Sequence, residues 1–191
     1  LLVATAPAAP PSIDKRLVTG NQAPSDAAVV IGIEAYYTLP PVPYAGSDAT
    51  AMYNTMLYGR GIPLENIHKV DGANREEIIE AVTRAAGEVK PGGMLWVYYA
   101  GHGVAAPSNG ERLLVGVDAK ADERMLEARA VAVSELEQIA IQAGIERTLM
   151  VLDTCYGGIG RAGLELLPGK RFAVPLYAHE NHAQVSIWTA A

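Results

Sequence analysis

MLWVYY at residues 94–99 is followed at once by AGHG (100–103), and LMVL at residues 149–152 by DTCYGG (153–158). Both are short continuous apolar runs ending in a glycine-containing turn, the pattern of strands buried on both faces of a sheet. AAVVIGI (27–33) is a third such run, and Asn66–Val70, Arg112–Val117 and Val185–Thr189 are further strand candidates. Helical patterns lie between them. One spans Ser47 to Tyr58, begun by Ser47 and Asp48 and closed by Gly59 and Gly61. A second is capped by Asn74, carries Glu76 and Glu77 near its positive end, and has Ile78, Ile79, Val82, Ala86 and Val89 as its apolar face. A third is predicted to start at a Ser134 cap, with Leu136, Ile139, Ala140 and Ala143 turned inward and Gly144 beyond its end. Strands alternating with helices predict βαβ units and a mostly parallel sheet covered on both faces. Chemistry in such sheets gathers at the carboxyl ends of the strands.

Those ends carry His102 and Cys155. Cys155 is the only cysteine, so it forms no internal disulfide and no multi-cysteine zinc site. It is either a small buried hydrophobe or a reactive thiol. A free thiol is only a few per cent thiolate at neutral pH, and a nearby imidazole raises its reactivity by taking the proton and later returning one to a leaving amine. Gly101 and Gly103 let the backbone turn sharply and leave the imidazole uncovered. The N–H groups of Gly103 and Cys155 are candidates for an oxyanion site. Either residue alone reads most simply as a loop or packing residue; both together, at corresponding strand ends, favour a dyad.

YYAGHG (98–103) and DTCYGG (153–158) resemble the His and Cys motifs of the caspase-like cysteine peptidases, most closely the bacterial metacaspase and orthocaspase branch. The histidine precedes the cysteine by about fifty residues, as in caspases. VVIGIEAYY followed by LPPVPYAGSDATAM resembles the family's first strand and the loop leading to its first helix. The resemblance implies a three-layer α/β/α sandwich and proteolysis by His102 and Cys155. True caspases carry QAC before the nucleophile's turn and hold a P1 aspartate with arginines. Here Asp153 stands two residues before Cys155, and Asp48 follows the first loop. Acids at these positions imply an S1 pocket for Arg or Lys, and hence a peptide or protein substrate with a basic P1 residue. Arg161, Lys170 and Arg171 lie between the Cys motif and the last strand, where such an enzyme would cut its own chain; an ordinary solvated loop is an equal reading.

Two departures matter. Gly157 stands where metacaspases usually have Ser. Of the acids that bind calcium in many metacaspases, Asp118 has a counterpart, but the pair expected before the third helix is Val133-Ser134 and a further position is Ala162. Calcium wants six or more oxygen ligands. The expectation is activity without calcium, with no metal or cofactor, and with Asp122 and Glu123 as solvated loop charges.

The 191 residues carry a formal charge of −6 and are half hydrophobic, which suits one globular domain. The acidic balance argues against nucleic acid or anionic membrane as main partner, and no run is long enough for a transmembrane helix. Residues 1–26, with Pro7, Pro10, Pro11 and Pro24, read as a tail or linker, and 27–191 as the catalytic domain. LLVATAPAAPPS leaves an export-signal remnant and a plain chain end both open, and with them an exported or a cytoplasmic location. The domain reads as a large-subunit portion whose C-terminal small-subunit segment would be its partner. Two other functions stay in view: a catalytically silent caspase-fold interaction module, and a flavodoxin-like binding domain. The second ranks last because Glu34–Tyr37 lacks a phosphate-binding turn.

Overall fold

The apolar runs pair as parallel strands because each is buried on both faces and needs helices above and below. The computed structural model describes residues 17–158, 163, 165–167, 169 and 182–189. Its elements in chain order are β1 (Ala27–Gly32), α1 (Ala45–Asn54), β2 (Ile67–Asp71), α2 (Arg75–Glu88), β3 (Leu95–Ala100), β4 (Gly103–Ala105), β5 (Arg112–Val115), α3 (Glu123–Ala128), β6 (Ala130–Ala132), α4 (Val133–Gln142), β7 (Thr148–Asp153) and β8 (Val185–Thr189). The main sheet has the order β2-β1-β3-β7-β8, and every adjacent pair is parallel.

Strand alternation divides the core. Val29, Ile31, Val97, Tyr99 and Leu152 point to the face covered by Ile78 and Val82 of α2 and Leu136 and Ala140 of α4. Ala28, Val30, Tyr98 and Ala100 point to the other, covered by Ala45 and Ala49 of α1. The result is the expected three-layer α/β/α sandwich. β1 sits between β2 and β3. The chain therefore leaves β1 for one neighbour and returns to the other. Such a switch point opens a crevice beyond the strands' carboxyl ends, between the loops that follow β1 and β3.

Asn74 caps α2 in a reciprocal box: its side chain accepts from Glu77 N, and the Glu77 carboxylate accepts from Asn74 N. The helix expected at Ser47–Tyr58 begins two residues earlier, continues as a π-helical turn over Thr55–Arg60, and stops where Gly61 takes φ 78°. Ser134 is not the cap of α4. That position belongs to Ala132, without a side-chain bond, while the Ser134 hydroxyl donates to Glu111. Arg112–Val115 joins β4 and β6 in a separate antiparallel sheet. The packed domain also begins before residue 27. Ala23 and Asp26 are buried, and the Asp26 carboxylate accepts from Arg60 Nε (2.9 Å), Met94 N (3.0 Å) and Trp96 Nε1 (3.0 Å).

Candidate active site

β3 and β7 are direct neighbours in register, with Ala100 paired to Asp153. His102 and Cys155 each stand two residues beyond that pair, past the same end of the sheet. His102 is buried, and Cys155 is exposed. Burial against β1's loop fixes the imidazole: Nε2 lies 2.7 Å from the Pro40 carbonyl. A carbonyl only accepts, so Nε2 carries the proton and Nδ1 is left with its lone pair. Tyr36, from the same loop, lays its ring 4.8 Å from the imidazole at a 48° tilt. Its hydroxyl accepts from His102 N at 2.8 Å. Tyr99 reaches the other side of that peptide and donates to His102 O at 2.9 Å.

The chain leaving His102 becomes β4 and runs between β5 and the cysteine turn. Val115 N donates to His102 O at 3.0 Å and Ala106 N to Glu111 O at 2.7 Å, so the intervening odd-numbered amides face away from β5. The amide of Ala105 is used on Tyr156 O at 3.2 Å, and Val104 bridges Gly157. The Gly103 N–H faces that same side, toward the turn that holds Cys155. Glycine is required there: a Cβ on residue 103 would sit 2.2 Å from Thr154 Oγ1. The two candidate motifs are thus tied twice, through β3–β7 and through β4 against the cysteine turn.

A family model described as the caspase domain matches residues 25–185. The chain belongs to the caspase-domain family. That family is one of cysteine peptidases, which act on peptide bonds. A crystal structure of a Geobacter sulfurreducens protein superimposes with a TM-score of 0.51 at 19% identity, over 69% of this chain and 51% of that one. At that identity the likeness speaks for the fold alone, and this chain spans about half the length of that protein. No curated protein matches the sequence. Among the described residues, no helix is long and apolar enough to cross a membrane.

In this caspase domain the two candidate S1 acids lie on the α1 side of the sheet. Asp48 is in the first turn of α1, half-buried, with its N–H donating to Tyr44 O at 2.9 Å. Asp153 ends β7, and the Tyr98 hydroxyl, on the α1 face, donates to its Oδ2 at 3.3 Å. Asp118 is held by Arg129, whose Nε lies 2.8 Å from Oδ2 and whose other nitrogens reach Glu76 at 3.0 and 2.9 Å. Asp122 caps α3, accepting from Arg124 N and Met125 N at 3.1 Å each. Among the described residues no three His, Cys, Asp or Glu side chains group as a metal site. Arg161, Lys170 and Arg171, the candidate self-cleavage positions, lie outside the described residues.

Pro40, Tyr36 and Tyr99 are the site residues that sequence reading missed. A main-chain carbonyl has no signature in a sequence, and the tyrosines read as loop and strand residues. Burial pushes the His102 imidazole below its ordinary value, opposed by the hydrogen bond to Pro40. The unfolded chain therefore protonates first. Stability that is present above the unfolded histidine value is lost as pH falls toward the folded one. In a Cys155→Ala variant, free of coupling to the thiol, the His102 ring signal should titrate with a midpoint below about 6.5. A midpoint above that would refute the burial argument.

Proposed function

We propose that this caspase domain is a cysteine endopeptidase that cuts after Arg or Lys, with Cys155 as nucleophile and His102 as proton carrier. The observation that carries the reading is the β3–β7 register, which sets His102 and Cys155 at matching positions while Pro40 keeps the His102 proton on Nε2. Nδ1 takes the Cys155 proton, and the thiolate attacks the scissile carbonyl. The N–H groups of Gly103 and Cys155 receive the oxyanion. The imidazolium then protonates the departing amine, leaving a thioester. Water, deprotonated by the imidazole, hydrolyses that thioester and restores the thiol.

The preference for a basic P1 is supported by Asp48 and Asp153 on one side of the sheet. Activity without calcium is supported by Arg129, whose guanidinium already pairs with both Asp118 and Glu76. YYAGHG and DTCYGG favour the metacaspase and orthocaspase branch, and with it self-cutting at Arg161, Lys170 or Arg171. The test is hydrolysis of paired fluorogenic peptides ending in P1 Arg and P1 Asp by the full-length protein, with and without a chelator. Cleavage after Arg that ignores the chelator is the expected result. Cleavage after Asp would remove the pocket assignment. No cleavage of either would favour a catalytically silent interaction module.

A further inference from the structure

The hydroxyls around His102 form a closed circuit. His102 N–H donates to the Tyr36 hydroxyl oxygen at 2.8 Å, the Tyr36 and Tyr99 hydroxyl oxygens lie 3.3 Å apart, and Tyr99 donates to His102 O at 2.9 Å. One direction around it uses each of the three protons once. Tyr36 accepts from an amide, so its own proton is available to Tyr99. Tyr99 passes its proton on to a carbonyl. Three hydrogen bonds begin and end on the peptide groups of one residue, with Val115 O as a second acceptor for both phenols, at 2.9 Å from Tyr99 and 3.4 Å from Tyr36. Burial raises both phenols well above the ordinary tyrosine range, so each keeps the proton the circuit needs. The site is built around the pair: a Cβ on Gly101 would sit 2.7 Å from each hydroxyl oxygen.

His102 lies where the chain leaves the parallel sheet for the antiparallel one. Its N–H has no ladder partner there, and a phenol serves instead. Pro40 holds one ring nitrogen, but a ring held at one atom still pivots when its backbone shifts. We propose that Tyr36 and Tyr99 are positioning residues for the dyad: their hydroxyl circuit fixes the main chain of His102 and so aims Nδ1 at the Cys155 side. This rests on the dyad reading above. The circuit also sets an order of importance. Without the Tyr99 hydroxyl, His102 O keeps Val115 N at 3.0 Å. Without the Tyr36 hydroxyl, the His102 N–H keeps no acceptor among the described residues.

The test compares Tyr36→Phe, Tyr99→Phe and His102→Ala in the full-length protein. Two readouts are taken: steady-state cleavage of a P1 Arg peptide, and the pH profile of Cys155 alkylation by iodoacetamide, which needs no substrate pocket. Tyr36→Phe should lower kcat roughly tenfold to a hundredfold with KM within about twofold, the cost of a misaimed proton carrier. Its alkylation profile should move toward that of His102→Ala, and Tyr99→Phe should do the same to a smaller extent. A purely structural role would lower the melting midpoint and leave kcat per folded molecule and the alkylation profile at wild-type values, which would overturn the proposal. So would Tyr99→Phe exceeding Tyr36→Phe in both readouts. If His102→Ala itself alkylates like wild type, the dyad reading fails and this inference falls with it.

Discussion

Cys155→Ala is expected to lower kcat/KM on a cleaved peptide by roughly ten-thousand-fold or more, with the melting midpoint unchanged. The size follows from the step removed. The sulfur forms the covalent acyl bond, and an exposed side chain carries little packing. His102→Ala should cost a similar factor, since the imidazole takes the thiol proton, protonates the departing amine and deprotonates the water that follows. The double variant should be no worse than the more damaged single one, because groups that act as one unit lose their effect together. Multiplying losses would mean that the two act separately, against the reading that β3 and β7 bring them to one site. Wild-type activity in Cys155→Ala would move the nucleophile elsewhere.

The sheet is legible in the sequence because its strands are continuous apolar runs, and because a parallel strand buried on both faces leaves no other pattern. MLWVYY and AAVVIGI became β3 and β1 within a residue of their expected ends. The cap at Asn74 is legible for a local reason: the partner, Glu77, is three residues away. What is illegible is short or tertiary. β4 and β6 are three residues each and show no period, and α3 spans six. Asp26 reads as the end of a proline-rich tail, yet the three partners of its carboxylate come from residues 60, 94 and 96.

The same division runs through the site. His102 and Cys155 announce themselves by residue type and by the glycines beside them. Their adjacency follows only from the strand order β1-β3-β7, which no local pattern dictates. Pro40 is chemically silent as a residue, and its part is played by a carbonyl. Tyr99 is read as one more apolar side chain of a buried strand, but its buried hydroxyl bonds the carbonyls of His102 and Val115. A buried tyrosine needs a partner for its hydroxyl, so aromatic residues flanking a catalytic motif are a usable signal.

The other large effect concerns the acids. Asp153→Asn is expected to lower kcat/KM for a P1 Arg peptide roughly a hundredfold, since a charge-assisted hydrogen bond contributes about 1.5–3 kcal/mol and each tenfold is about 1.4 kcal/mol. Asparagine keeps the shape and can still accept from the Tyr98 hydroxyl, so the loss isolates charge from packing. Asp48→Asn should act in the same direction. Its helix-start position adds a stability cost of a few tenths of a kcal/mol to about 1 kcal/mol, because a carboxylate in the first turn favours the helix dipole. Lys at P1 should lose less than Arg, because an ammonium makes point contacts where a guanidinium makes a fork that matches carboxylates. Iodoacetamide alkylation of Cys155 should be unchanged in both variants, since neither acid takes part in moving the thiol proton. The competing role for Asp153 is anchoring of the cysteine turn through Tyr98. In that case Asp153→Asn, which keeps the acceptor, would change little, and Asp153→Ala, which removes it, would shift the alkylation rate and the P1 Arg and P1 Lys rates by the same factor. A pocket acid changes their ratio, and an anchoring acid does not.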